Sequence, residues 1–389
     1  MAKNKDLSNV VSATISNGIV MSELKKMIKS RVEIIMKNPD KSMEISPILI
    51  HSAPGIGKSS VCQQIAQELG IDFINIKLCN IDALDFRGLP SVDQEKGVTK
   101  WNCPNFWPKD PNAKGIILLD EITACDSLVQ KAAYEFVLER RIGEIYNVPK
   151  GYYILAAGNR ACDKAIVAPI SSALANRFCH VELSENSDDW RSWAITHDIH
   201  PSVLGFIQWQ PQWLLHMKDE HLDRGFPTPR SWSRVSEEVK MWENDEHMLS
   251  KLVSGLVGDS ASYEFMAFHK LNRKFANIRE IMLNKDAKIE LPKAPDELYA
   301  MTNAMTYLLW RGDSEAENNR LLDGFFRISL KLDSAFAALA MTAAMTANSE
   351  DKEKQRMASR MLFKHPMYKK WQETHGREFA KYVTNPDSL

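Results

Sequence analysis

The residues that could do chemistry stand at the ends of apolar runs. In "ILIHSAPGIGKSSVC", residues 48–62, an apolar run meets a Gly-rich turn and then Lys58, Ser59 and Ser60. Glycines let a backbone wrap a phosphate without a Cβ clash. A helix start adds free N–H groups and a positive dipole end. Lys58 can reach the β- and γ-phosphates of a nucleotide, and the Ser59 hydroxyl can hold Mg²⁺. Ser52 stands where the usual phosphate-loop pattern has its first Gly. It ends the strand, ahead of the phosphate-facing groups from Gly55 to Ser60, so its effect on affinity is expected to be small. Alone, this stretch also reads as a plain structural turn.

A second run, "KGIILLDEIT", ends in Asp120 and Glu121, 62 residues after Lys58. A carboxylate at a strand end can bind the water shell of a magnesium ion, and the next one can polarise an attacking water. A strand running into an acidic helix start is the bland alternative. A third run, "YYILAAGNR", ends in Asn159, a neutral amide able to bond both the γ-phosphate and the water. Gly-Asn is also an ordinary turn. In "PISSALANRFCHVEL", Arg177 lies between a short helix and a strand. An Arg there can reach a neighbour's γ-phosphate as a finger, or simply make a surface salt bridge. In "GFPTPRSWSRV", Arg230 follows Pro229 just inside a helix start, where a guanidinium can contact phosphate.

These groups need a scaffold that brings strand ends together. From 46 to about 185, apolar strands without alternation ("SPILIH", "DFINIKL", "GIILLDE", "YYILAAGN", "FCHVEL") alternate with helix-like runs. That pattern predicts a parallel sheet covered on both faces. Before it, "MSELKKMIKSRVEIIMKN" reads as a helix with Ile28, Val32, Ile35 and Met36 at helical spacing, stopped by Pro39. After Glu185 the strand signal fades. "DDWRSWAITH", "PSVLGFIQWQPQWLLHM" and "SWSRVSEEVKMWENDEHMLSKLVSGLV" read as helices, and "RGFPTPR" as a break. From about 270 the chain is again helical, jointed at Pro292 and Pro295, with Met301, Met305, Met341 and Met345 read as core filling. The expected divisions are a helical lead-in (1–45), an α/β core (46–185), a helical lid (186–268) and a helical C-terminal region (269–389).

Composition sets outer limits. The 389 residues are 44% hydrophobic and 25% charged, which suits a chain with a real core. Lys plus Arg number 49 and Asp plus Glu 50, so bulk charge gives no reason to expect nucleic acid or an anionic membrane. The six cysteines include no C-x-x-C pair and no zinc spacing, and read as reduced thiols. No run of about 18 apolar residues spans a membrane, and the N-terminus lacks a signal-peptide core. A cytoplasmic location is expected.

Taken in order, the five motifs resemble those of the AAA+ ATPases, and within them the MoxR-like branch. "SAPGIGKSS" is similar to the Walker A loop and "ILLDEIT" to the Walker B strand. "AAGN" resembles sensor 1, "LANRF" the arginine-finger segment and "TPRSW" sensor 2. "LDFRGLPSV" with "GVTKWNCPNFWP" resembles the MoxR-type segment before Walker B, and "RRIGEIYNVPKGYYIL" the hairpin leading into sensor 1. The resemblance covers roughly 45–245 and departs from the pattern at Ser52 and after about 270.

It implies an α/β P-loop NTPase core, a helical lid, and a hydrolase converting ATP to ADP and phosphate with Mg²⁺. Pro54, Gly55, Ile56, Gly57, Lys58, Ser59, Ser60 and Arg230 would bind nucleotide, and Ser59 and Asp120 would hold the metal. Glu121 would activate water and Asn159 position it. Arg177 would act in trans; Arg230 stays open between cis and trans. The resemblance also implies a ring, usually a hexamer, with loops near 86–101 and 140–150 facing a pore or one ring face. Such a chaperone remodels or assembles a partner complex, often with a von Willebrand factor A domain protein. Two rivals remain: an AAA+ motor acting on nucleic acid or assisting a nuclease, and a nucleotide-gated binding module without significant turnover.

Overall fold

Ile48, Leu49 and Ile50 are fully buried, and this apolar run is the start of the central sheet of a computed structural model. The structure describes residues 18–95, 97–160, 170–217, 224–273, 275, 277–349 and 351–384. The chain divides into two compact units, Met1–Ser184 and Glu185–Leu389.

In the first unit the described strands are β1 (Ile48–Ser52), β2 (Asp72–Lys77), β3 (Leu89–Asp93), β4 (Val98–Asn102), β5 (Lys114–Asp120), β6 (Arg141–Ile142), β7 (Tyr146–Asn147), β8 (Gly151–Asn159) and β9 (Cys179–Glu182). Its helices are α1 (Met21–Lys37), α2 (Lys58–Leu69), α3 (Ala83–Arg87), α4 (Ser127–Glu139) and α5 (Ser172–Ala175). Five strands form one parallel sheet in the order β2-β5-β8-β1-β9. Alternate residues explain why these strands read as continuous apolar runs. Leu49, Ile117, Leu119, Ile154 and Ala156 join the core that contains Phe136 and Val129 of α4. Ile48, Ile50, Ile116, Leu118 and Leu155 are buried as well, and α1 and α2 pack on β8 and β5. Both faces are therefore covered, as a parallel sheet requires. On α1 the buried face is Leu24, Ile28, Val32 and Ile35; Met36 lies only at its edge.

Two hairpins project from this frame, β3–β4 and β6–β7. The base of the first is locked. The Trp107 indole donates to the Phe86 carbonyl at 3.2 Å, both rings are buried, and a Cβ at Gly88 (φ 100) would lie 2.1 Å from the Asn102 carbonyl oxygen. Its strands carry exposed apolar side chains: Val92 is 72% exposed and Trp101 41%.

The second unit is helical: α6 (Ser187–Thr196), α7 (Pro201–Trp209), α8 (Pro229–Met241), α9 (Glu246–Val257), α10 (Asp259–Arg273), α11 (Ile278–Leu283), α12 (Pro295–Leu308), α13 (Glu315–Ser329), α14 (Ser334–Met345), α15 (Lys352–Lys364) and α16 (Tyr368–Thr384). One core gathers Trp190, Phe206, Trp232, Leu249 and Phe265. A second gathers Ile278, Met301, Phe325, Met341, Leu362 and Trp371. The run 231–257 is broken, where a continuous pattern had suggested helix throughout. Asp245 caps a new helix by accepting from the Met248 amide at 3.0 Å. Met301, Met305 and Met341 fill core positions, while Met345 is only partly buried. No described helix is long and apolar enough to cross a membrane.

Candidate nucleotide site at the carboxyl ends of the strands

The carboxyl ends of β1, β8 and β5 lie side by side, with Ser52 in register with Asn159 and Leu119 with Ala156. This places the loop after β1, Asp120 and Asn159 at one edge of the sheet, where ligands of open α/β sheets bind. Gly55 (φ 78) and Gly57 (φ 115) take backbone conformations that L side chains rarely adopt. Gly57 is the N-cap of α2 and offers no side chain to cap it. The first amides of α2 are therefore presented outward, which is the arrangement an anion needs.

The Lys58 ammonium folds back over the loop. It donates to the Ser52 hydroxyl (2.9 Å), the Ser52 carbonyl (3.2 Å), the Ala53 carbonyl (3.3 Å) and Asn159 Oδ1 (3.1 Å). Lys58 and Asn159, 101 residues apart, thus meet directly. Ser52 does more than end the strand, since its buried hydroxyl touches the loop lysine. Ser59 donates to Asp120 Oδ2 at 2.6 Å, so the two oxygens expected to hold a metal are adjacent.

Glu121 sits just past β5 with φ 57. A non-glycine in that region costs on the order of 1–3 kcal/mol and persists where the surroundings enforce it. Its own amide donates to Asp120 Oδ1 at 3.0 Å, and the next amide, of Ile122, donates to the Ala157 carbonyl at 3.0 Å. The Cys79 thiol, at the end of the neighbouring β2, donates to Glu121 Oε2. Desolvation and that bond push the Cys79 thiol up to about 11, so it stays a protonated donor at neutral pH. Thr123 fixes Asn159 from below. Its hydroxyl accepts from the Asn159 amide (3.0 Å) and reaches the Asn159 carbonyl (3.4 Å). A Cβ at Gly158 would lie 2.5 Å from Thr123 Cγ2, so only Gly allows this approach.

Arg177 is half-buried beside Tyr134 of α4. Its Nη2 donates to the Tyr134 hydroxyl at 3.0 Å and its guanidinium lies 5.6 Å from that ring's centroid. Among the described residues no carboxylate pairs with it. No hydrogen bond among them joins it to the loop of its own chain. Arg230 belongs to the second unit, exposed in the first turn of α8, where Thr228 caps the helix through the Ser231 amide.

Ser52, Cys79, Thr123 and Tyr134 escaped the sequence reading as site residues. Thr123 sat inside the quoted "DEIT". Ser52 stood in the quoted loop, where its contact with Lys58 was not foreseen; Cys79 and Tyr134 become legible only once the packing of strands and helices is known.

The sequence of residues 48–182 matches the model of the ATPase family associated with various cellular activities (AAA). That match covers every strand end described above. Over these residues the chain is similar to an AAA domain. Among solved structures, the likenesses include the RuvB Holliday junction branch migration motor of Thermotoga maritima. It is 14% identical, with 75% of this chain and 90% of that chain covered and a TM-score of 0.34. NtrX from Brucella abortus, in complex with ADP, is 12% identical, with 91% and 71% covered and a TM-score of 0.36. No curated protein sequence matches the chain. Within the matched residues, Asp120 and Asn159 stand at strand ends in contact with Ser59 and Lys58.

Proposed function

We propose that the chain is a Mg²⁺-dependent ATPase of the MoxR-like kind, working as a ring that remodels a partner protein. The observation that supports this most is the convergence of Lys58 with Asn159 and of Ser59 with Asp120 at one sheet edge. Three motifs separated by 61 and 101 residues would have no reason to meet in a merely structural turn.

ATP phosphates fit the cradle of amides from Gly55 to Ser60 at the uncapped start of α2. Lys58 exchanges its backbone oxygens for the β- and γ-phosphates, an exchange of neutral for charged acceptors that favours the ligand. Pro54 and Ile56 shape the loop around them. Ser59 and Asp120 are the residues that would hold Mg²⁺, whose bound charge offsets that of the phosphates. Glu121 has one carboxylate oxygen engaged by Cys79, which leaves Oε1 to accept the proton of the attacking water. Asn159 orients that water, its backbone pinned by Thr123.

Arg177, charged and paired with a neutral phenol, supports a role as a finger offered to a neighbouring subunit. Arg230 adds a cation at a helix N-terminus, where both the guanidinium and the dipole attract an anion. The exposed apolar side chains along the strands of the β3–β4 hairpin suit a surface that grips an unfolded or loosely held protein.

The test is phosphate release from Mg-ATP by the purified chain, with and without single- and double-stranded DNA. Turnover that Lys58→Ala abolishes and DNA leaves unchanged is expected. Turnover appearing only with DNA would transfer the chain to the nucleic-acid motors. Binding of ATP without turnover would make it a nucleotide-gated module.

A further inference from the structure

Helix α15 carries Lys352, Arg356, Arg360 and Lys364 at four-residue spacing, all exposed. Residues four apart on a helix are neighbours on one face, and like charges there destabilise by about 0.2–0.5 kcal/mol per pair. The single carboxylate of the helix is Glu353. Among the described residues none of the four cations makes an ion pair. The protein therefore keeps an uncompensated cationic stripe, roughly 18 Å long at 1.5 Å per residue.

The stripe is also one wall of a groove. A cavity of about 890 Å³ lies between α15, α6 and the C-terminal end of α14. Arg191 of α6 adds a fifth cation to its lining, and no carboxylate lines it. Its other walls are apolar in part, through Ile195, Ala343, Met345 and Phe363, and Phe363 is 42% exposed. The core side of α15 is taken by Ala358 and Leu362, while Phe363 leans on the Tyr368 ring, centroids 5.0 Å apart, and stays partly open to the groove.

We propose that this groove binds an acidic amphipathic helix of a partner protein. Such a helix would set its apolar face on Ile195, Met345 and Phe363 and its carboxylates against Arg356, Arg360 and the cations at either end. Helix-in-groove recognition uses an apolar floor with complementary charges at the rim, and rim charges set specificity and association rate. The groove's length matches three to four helical turns. Nucleic acid fits less well, because grooves for single strands pair cations with several stacking aromatics, and here Phe363 is the single aromatic in the lining. The inference does not rest on the ATPase reading, and its test is run without nucleotide.

The probe is a fluorescein-labelled synthetic peptide of about four turns, with Leu on one helical face and Glu on the other. A scrambled peptide of the same composition and a labelled oligothymidine serve as competitors. Anisotropy of each is measured against the full chain. The ordered peptide should bind at least about tenfold tighter than the scrambled one. Arg356→Glu/Arg360→Glu should erase that advantage while keeping the circular dichroism of the parent, since both side chains are exposed. That variant should prefer a peptide with Lys in place of Glu. Phe363→Ser, which leaves the charge alone, should weaken ordered-peptide binding at least about threefold. Equal binding of ordered and scrambled peptides overturns the proposal. So does unchanged affinity in the charge-reversed or Phe363→Ser protein. Tighter binding of oligothymidine than of the ordered peptide would give the groove to nucleic acid instead.

Discussion

At the scale of single residues, the site is held together by a few polar contacts whose loss has separable effects. Lys58→Ala removes the cation from the cradle and should abolish measurable ATP binding. Lys58 bonds polar oxygens, and the buried Ser52 hydroxyl keeps the Ala53 carbonyl as a partner without it, so the melting temperature should stay within a few degrees; nucleotide titration and thermal melting read both. Ser52 tests a subtler point. Its hydroxyl accepts from Lys58 in the structure described, and a lysine engaged on phosphate no longer needs that acceptor. Ser52→Ala should therefore leave ATP affinity equal or tighter, within about tenfold or 1.4 kcal/mol. A tenfold loss would show that Ser52 supports the bound loop. Cys79 reaches the site through Glu121, and its thiol also lies 3.3 Å from Asn80 Oδ1. Cys79→Ala should lower kcat by up to about tenfold with KM unchanged, the pattern of a lost positioning contact; a KM effect without a kcat effect would contradict that role.

At the scale of elements, the legible and the illegible divide on whether information is local. The apolar runs of β1, β5 and β8 announce buried parallel strands because both faces are covered. Their terminal Ser52, Asp120 and Asn159 are readable for the same reason, since polarity appears where burial ends. Cys79, Thr123 and Tyr134 were not readable, because each meets its partner across the strand order β2-β5-β8 or across a helix packed on it. The break at Trp242–Asp245 was hidden by apolar residues that keep helical spacing on both sides; the capping aspartate was the local clue. Gly158 shows how tightly such junctions fit. Gly158→Ala should drive β8 from Thr123, cost about 1–3 kcal/mol through overpacking, and reduce turnover more than ATP binding, because Asn159 moves with the strand. A second element test concerns α7 and α10. His200 and His269 share the Ser202 hydroxyl, at 2.6 and 3.1 Å. Burial pushes His200 down to about 3 and His269 down to about 4. Below about pH 6.5 the unfolded histidines take protons that the folded ones refuse, so this contribution is complete above that pH and is lost as pH falls toward 4. From pH 7 to pH 5 the loss should be roughly 2 kcal/mol per histidine. Urea midpoints at the two pH values measure it, and His269→Gln should remove about half of the difference.

At the scale of the whole molecule, the account makes each active site the joint property of two subunits. Under the proposed function one would supply Lys58, Asp120, Glu121 and Asn159, and the next would supply Arg177, which bonds Tyr134 in the structure. An Arg finger is worth roughly 10³ to 10⁵ in rate, or about 4 to 7 kcal/mol of barrier. A surface salt bridge would contribute at most about 1 kcal/mol to stability and nothing to rate. The decisive measurement is phosphate release by Glu121→Gln protein, Arg177→Ala protein, and their mixture under conditions where subunits exchange. Each variant alone should bind Mg-ATP and release almost no phosphate. The mixture should regain part of the wild-type rate, because some interfaces then combine an intact Glu121 with an intact Arg177. Wild-type turnover by Glu121→Gln alone would contradict the assignment of the water-activating base, and a mixture that stays inactive despite demonstrated exchange would contradict the shared site.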